Sequence, residues 1–145
     1  MTRAAQHTRD SVSFTVPGSP VALQRARLST RGGFARAYDP AKNRDAKAAV
    51  AAACVQLMMN APMDGALGMR VSFYVPKPKS KQRKNSDPYP HPTSRPDLDN
   101  YVKLVLDGMN GIVYNDDAQV VSIEAHKHWA QREPFTSVCV FRLTV

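Results

Sequence analysis

The chain has 145 residues, 43% of them hydrophobic, which suits one domain around one core and excludes a disordered, charge-dominated polymer. Twenty lysines and arginines against twelve acids give a formal charge of +8 and a pI near 9.8, a balance that favours a polyanionic partner, nucleic acid above all. No run reaches the roughly 18 apolar residues of a membrane span, and MTRAAQHTRDS at the N-terminus lacks the apolar segment of a secretory signal. Cys54 and Cys139 show no C-x-x-C spacing, so they read as reduced core thiols of a cytoplasmic protein rather than a zinc ribbon or a disulfide framework.

Residues 1–10 are expected to form a disordered arm, and 11–145 the single folded domain. Val12, Phe14 and Val16 alternate with Ser13 and Thr15, a strand that Pro17-Gly18 ends. "RLSTRGGFARAY" places two short arms around Arg31-Gly32-Gly33, a basic hairpin. Asp39-Pro40 then predicts an N-cap with proline at the first helical position. An alanine-rich helix should run from there to about Asn60, with Ala49, Ala52, Ala53, Gln56 and Leu57 spaced helically. Met69, Val71, Phe73 and Val75 alternate as a second strand, ended by Pro76 and Pro78.

Residues 77–96, "KPKSKQRKNSDPYPHPTSRP", hold five prolines and read as a loop within the one domain. Beyond Pro96 the pattern changes. Leu98, Tyr101, Val102, Val105, Leu106 and Met109 fall on one face of an amphipathic helix, with Gly108 and Gly111 loosening its end. Val121, Ile123, Ala125 and Trp129 then share one side of a strand, and Pro134 turns the chain into a last strand over 137–145. The order predicts an α+β fold: one mixed β-sheet with two main helices packed on it.

The charges are not spread evenly. Five of the twelve acids, Asp97, Asp99, Asp107, Asp116 and Asp117, lie within twenty-one positions and face one base, Lys103. The preceding stretch is the reverse: Arg70, Lys77, Lys79, Lys81, Arg83, Lys84 and Arg95 against Asp87. Asp97 and Asp99 open the second helix, where one aspartate could serve only as a cap. Asp116 and Asp117 follow Tyr114-Asn115, where Asn-Asp-Asp is also ordinary turn chemistry. If the two pairs converge, their repulsion calls for a hard cation such as Mg²⁺, which takes oxygen ligands and can activate water for attack on a phosphate. The neighbouring bases would hold a nucleic-acid backbone against that acidic pocket. Lys103, four residues from both Asp99 and Asp107, reads either as a partner in i,i+4 ion pairs or as an ammonium aimed at the attacked phosphate.

"RPDLDNYVKLVLDGMNGIVYNDDAQVV" closely resembles the signature of the RusA family of Holliday junction resolvases, in which D-x-D-N-x-x-K precedes a helix and D-D-[AS]-Q-V follows it. The resemblance is dense over about 95–121, extends more loosely to Lys127, and takes in the early "FTVPGSPVALQRAR" with its G-x-P. The proline-rich loop is the part least shared. The resemblance implies a Mg²⁺-dependent endonuclease, with Mn²⁺ as a substitute, that works as a homodimer and nicks two strands of a four-way DNA junction symmetrically. It implies Asp97, Asp99 and Asp117 as catalytic metal ligands and Lys103 as the essential basic residue. Asp116, Asn100 and Asp107 match family positions as supporting groups. Arg25, Arg27, Lys77, Lys79, Lys81, Arg83, Lys84 and Arg95 are the expected DNA contacts; no membrane and no small-molecule cofactor are implied.

Other readings are weaker. Asp97-Leu98-Asp99 is no EF-hand start, since Val102 stands where such a loop needs glycine. His126 and His128 share a strand face with His91 nearby only through the loop, so surface histidines are expected rather than zinc ligands. Trp129 reads as core or dimer packing, and Tyr89 is open to base stacking. No G-x-x-x-x-G-K loop supports another phosphoryl-transfer enzyme. The competing class is a non-catalytic protein that binds junctions or forks through the same basic surface.

Overall fold

In a computed structural model, which describes residues 6–7, 10–58, 61–82 and 91–144, the alternating segments pair into one five-stranded sheet. Its strands are β1 (Gln6–His7), β2 (Ser11–Pro17), β5 (Leu67–Val75), β6 (Val120–Trp129) and β7 (Phe135–Arg142), in the order β1-β2-β7-β5-β6. Neighbours run antiparallel except β5 and β6, which are parallel, so the sheet is mixed as expected. The basic hairpin forms as a separate pair, β3 (Arg27–Ser29) with β4 (Arg36–Tyr38), and Gly32 and Gly33 both take positive φ at its tip. Gln6 and His7 of the expected arm pair with Ser13 and Val12; the rest of 1–9 lies outside the described residues.

Helices α1 (Ala41–Val55) and α3 (Leu98–Met109) pack together on one face of the sheet. The core lies between the layers: Val12, Phe14 and Val16 of β2, Leu67 to Val75 of β5 at alternate positions, Val138 and Val140 of β7, and Val50, Cys54, Leu104 and Met109 from the helices. The opposite face of the sheet is open, with Tyr74 stacked between Phe135 at 4.4 Å and His128 at 5.1 Å. This is the α+β, two-helix arrangement that the pattern of elements predicted. No helix is long and apolar enough to cross a membrane, among the described residues.

Several local expectations need correction. Pro40, not Asp39, is the residue that flanks α1, and it makes no side-chain cap. Asp39 instead accepts from the side chains of Asn43 at 2.8 Å and Lys47 at 3.0 Å, bonds that lower its pKa. The buried side of α1 is Asn43, Val50 and Cys54; Ala49, Ala52 and Gln56 face solvent. The helix ends at Val55 and tightens into a 3₁₀ turn over Gln56–Met58. The loop after β5 contains one short helical turn, α2 (Lys79–Gln82). On α3, Leu104 and Gly108 join Tyr101, Val105 and Met109 in the buried set, while Leu98, Val102 and Leu106 are only half-buried. Gly108 does not merely loosen the helix. A Cβ there would lie 2.7 Å from Cβ of Val50, so glycine is what lets α3 approach α1.

Candidate active site and its basic rim

Asp97 flanks α3 in an extended conformation, φ −72° and ψ 147°, and its side chain makes no capping bond. Its backbone carbonyl accepts from the N–H groups of Asn100 and Tyr101, so the chain turns into the helix without using the carboxylate. The capping alternative for Asp97 is thereby removed. Asp99, in the first turn, is exposed; Lys103 and Asp107 follow at successive i,i+4 positions on the same stripe. The ion pairs that this spacing allows do not close: among the described residues the salt bridges are Asp39–Lys47, Glu124–Arg70 and Glu124–His126. Lys103 is exposed, its ammonium held by neither neighbour.

The second acidic pair is held by a network that the sequence reading missed. Asp116 caps the 3₁₀ turn Asp117–Gln119 by accepting from the Ala118 N–H at 3.1 Å. Gln119 Oε1 accepts from the N–H groups of Asn115 and Asp116 at 3.0 and 3.2 Å, and its Nε2 donates to the carbonyls of Met63 and Gly65. This reciprocal cap fixes the turn against the strand entrance. The Asp117 N–H donates to Asn110 Oδ1 at 2.9 Å, which ties the turn to the C-terminal end of α3. The Asp116 and Asp117 side chains share a hydrogen bond. It raises the Asp117 pKa, helped by burial and by the charges of Asp116 and Asp107, while Lys103 opposes the rise. The Ala118 N–H, before the shared bond, lowers that of Asp116. Asp107 and Lys103 are therefore within electrostatic reach of Asp117. Just beneath, burial carries the Tyr114 hydroxyl far above its usual range as it donates to the Leu106 carbonyl at 2.6 Å.

Asp97 and Asp117 sit at opposite ends of α3. Twelve residues at 1.5 Å each separate those ends by about 18 Å. No three of the His, Cys, Asp and Glu residues come together to hold a metal ion, among the described residues. The expected convergence of Asp97, Asp99 and Asp117 is thus absent within one chain, because the helix lies between them. His91, His126 and His128 lie with neighbouring rings 5.8 and 6.2 Å apart and form no such group either. Burial, then the charges of His126 and His91, lowers the pKa of His128.

The basic rim meets the N-terminal end of α3. Leu23 N–H donates to the Asn100 carbonyl at 3.0 Å, and the fully buried Asn43 clamps Gln24 from both sides, accepting from its N–H and donating to its carbonyl. These bonds place the exposed Arg25 beside the helix start and lead into Arg27 on the hairpin. Lys127, on the helix-facing side of β6, donates to the carbonyls of Ser94 and Pro96 at 3.1 and 3.0 Å. It grips the backbone on both sides of the exposed Arg95 and directly before Asp97. Lys77 is half-buried, Lys79 opens α2 exposed, and Lys81 lies within that turn. Arg83, Lys84 and Tyr89 lie outside the described residues. Between α3 and β6 runs a groove of about 440 Å³ lined by Leu98, Asp99, Val102, Lys103, Leu106 and Ala125. Trp129 packs against the core, as one of its two readings had it.

Residues 17–140 match the family model described as endodeoxyribonuclease RusA. The chain belongs to that family. It is also 39% identical over 137 residues to the uncharacterized protein YqaN of Bacillus subtilis (strain 168), covering 90% of this chain and 96% of that one. The matched span takes in every described residue of both acidic pairs, Lys103 and Lys127. Membership identifies the activity as endonucleolytic cleavage of DNA, with Holliday junctions as the family's substrate. Of the residues that fix the site, Asn43 and Asn110 were not named from sequence, while Gln119 entered only within the D-D-A-Q-V signature and Lys127 only as the loose end of the resemblance. Lys127 had a signal: in "IEAHKHW" it falls at the same parity as Ile123 and Ala125, the side facing the helix.

Proposed function

We propose that this chain is a Mg²⁺-dependent, structure-selective endonuclease that resolves four-way DNA junctions by paired symmetric nicks in recombination and repair. Residues 11–145 form the catalytic domain, 1–10 an arm, and the enzyme works in the cytoplasm of a bacterial or phage-infected cell. The observation that carries this reading is the exposed Lys103 ammonium, set on one helical stripe between Asp99 and Asp107 with Asp117 within reach, beside a rim of arginines and lysines. Asp97, Asp99, Asp117 and Lys103 are the catalytic set; Asp116, Asn100 and Asp107 support it.

In the reaction water attacks phosphorus in line, the bond to the 3′ oxygen breaks, and the products are a 3′-hydroxyl and a 5′-phosphate. Lys103 stabilises the negative charge that builds on the phosphorane oxygens, which rewards an ammonium not already neutralised by a bonded carboxylate. Arg25, Arg27, Lys77, Lys79, Lys81, Arg83, Lys84 and Arg95 hold the DNA backbone without reading bases. Mg²⁺, for which Mn²⁺ would substitute, would be held by Asp97, Asp99 and Asp117 and would supply water activation and charge neutralisation, although no three such ligands come together among the described residues of one chain. A two-fold homodimer suits a substrate whose two cleaved strands are related by symmetry. No small-molecule cofactor enters this scheme.

The test is nicking of a labelled four-way junction beside linear duplex, with Mg²⁺ or EDTA, and with Asp97→Asn as control. Paired symmetric nicks in the junction alone, lost in EDTA and in the variant, are expected. Tight junction binding without cleavage under any divalent ion would leave a binding protein in place of the enzyme.

A further inference from the structure

The ribbon formed by β3 and β4 stands apart from the sheet and its helices. No acid occurs from Ser11 to Tyr38, while Arg25, Arg27, Arg31 and Arg36 all fall within the ribbon and its approach. Among the described residues none of these four guanidinium groups closes an ion pair. The two strands pair only with each other, and every residue from Gln24 to Tyr38 is exposed except the half-buried Ser29. Leu28 and Phe34 are 74% and 71% exposed. A two-stranded ribbon alone is marginally stable in water, so this one depends on its root. The fully buried Asn43 bonds both of its ends. It accepts from the Gln24 N–H, and its Nδ2 donates to the Gln24 carbonyl and to Asp39 Oδ1, both at 2.8 Å. The Leu23 N–H, on the Asn100 carbonyl, sets that root against the first turn of α3, beside Asp97 and Asp99. Eight residues lead from Gln24 to Gly32, so the tip reaches at most about 28 Å from there.

One exposed phenylalanine is ordinary on a protein surface. The surroundings of Phe34 are not. It follows Gly32 and Gly33, whose φ values of 84° and 82° suit glycine, and a Cβ on either would meet no atom within 4 Å. The tip is therefore narrow and unobstructed. Along the ribbon Leu28 lies opposite Ala37 on one face, while Arg27 opposite Tyr38 and Ser29 opposite Arg36 occupy the other. Arginine pairs with phosphate, but a phenyl ring does not; against nucleic acid it stacks on a base or wedges between bases. In a continuous duplex every base is already stacked, whereas stacking is interrupted where the strands of a four-way junction cross. A second copy of this chain, itself at +8, would bring like charge to the four unpaired arginines, so DNA is the occupant that the charge fits. We propose that the ribbon senses the branch: its arginines hold phosphates while Phe34 inserts at the crossing and stacks on an exposed base. Binding at the crossing, rather than along an arm, then sets the strand to be cut beside Asp97. The proposal rests on the branched-DNA reading and makes Phe34 the residue that selects the substrate.

The experiment compares affinities for a four-way junction and for linear duplex, measured in EDTA by fluorescence anisotropy so that no cleavage intervenes. A fluorescent adenine analogue at the crossing reports unstacking in the same samples. Phe34→Ala should lower junction affinity about tenfold, the loss of one stacked base, with duplex affinity unchanged. It should also abolish the rise in analogue fluorescence that wild type produces, while Phe34→Trp, which keeps a stacking ring, retains both effects. The double variant Arg31→Gln/Arg36→Gln should instead weaken junction and duplex alike and reduce the slope of log affinity against log salt by about 2. Thermal melting and sedimentation of all three variants should match wild type, because the ribbon is exposed along its length. The proposal is overturned if Phe34→Ala binds the junction as wild type does, or if it loses junction and duplex affinity equally. A lowered melting temperature or a changed oligomeric state in Phe34→Ala overturns it too, since the ring would then belong to the fold or to a contact between copies. Wild type that selects the junction through Phe34 yet never nicks it under any divalent ion would remove the nuclease reading and leave this one standing.

Discussion

Helices α1 and α3 lie side by side on the same face of the sheet, yet they are built on opposite plans. α1 is nearly half alanine, buries only Asn43, Val50 and Cys54 fully, and holds the loop that carries Arg25 through a buried asparagine. α3 has a strong apolar face against the core and a charged stripe, Asp99–Lys103–Asp107, on its free flank. One helix positions and the other offers chemistry. The difference teaches that proximity to a site does not make an element part of its chemistry; what counts is whether a helix turns polar groups toward ligand or toward its own scaffold.

That contrast is broken most severely through Lys103. Because its side chain is exposed and closes no ion pair with Asp99 or Asp107, Lys103→Ala should leave thermal stability unchanged. Turnover on a four-way junction should fall by about 10²–10³-fold, the size of effect expected when one electrostatic stabiliser of the transition state is removed. Junction affinity by gel shift should change little. A variant that cleaves at the wild-type rate would return Lys103 to the status of a surface residue.

The contact between the helices gives the next largest effect, and its sign is the test. In a helix interior Gly→Ala ordinarily gains about 0.5–1 kcal/mol. At Gly108 the added Cβ would sit 2.7 Å from Cβ of Val50 and 3.3 Å from the Lys47 carbonyl oxygen, so α3 must move away from α1. Gly108→Ala should therefore destabilise by about 1–3 kcal/mol in urea denaturation, the cost of overpacking. A gain in stability would mean that the two helices are not held at this spacing.

Lys127 sharpens the comparison from the strand beneath α3. Lys127→Met removes two charge-assisted bonds to the Ser94 and Pro96 carbonyls and keeps the length of the side chain. The backbone before Asp97 is loosened, and kcat should drop about tenfold with KM nearly constant. Lys127→Arg, which restores donors, should recover most of that loss. An equal fall in both variants would point to packing rather than to positioning.

How much of this was readable beforehand follows the same division. The strands of the sheet were legible because Val12–Val16 and Met69–Val75 alternate strictly, and α3 because its apolar residues recur at helical spacing. The burial of Leu104 and Gly108 was not legible. They face α1, whereas Leu98, Val102 and Leu106 border the open groove, and periodicity does not say where a neighbouring helix stands. In α1 alanine fills both faces, so its inner side carries no pattern, and the clamp by Asn43 depends on a partner nineteen residues away. The acid motif was plain in the sequence, but its division across α3 was not: closeness in a motif does not set distance in the fold, and a twelve-residue helix keeps Asp97 and Asp117 apart.

The smallest effect concerns α1 alone and tests whether its inner face is as closed as the fold implies. Burial pushes the Cys54 thiol from its ordinary value of 9.0 up to about 11. A raised folded-state value favours the neutral thiol in the native protein. Its contribution to stability is therefore complete below pH 9 and is lost as the pH rises through about 11, the window in which the unfolded chain ionises first. Two measurements follow from one cause. The urea midpoint of the native chain should fall between pH 9 and 11, and less so for Cys54→Ala compared with its own value at pH 8. At pH 8 a thiol reagent should modify the half-buried Cys139 in the native protein but reach Cys54 only after denaturant is added, since the thiolate is the reactive species and the side chain is fully covered. Rapid labelling of both thiols at pH 8 would show that α1 opens away from the sheet, and a helix that opens so readily could not hold the Arg25 loop in place beside the start of α3.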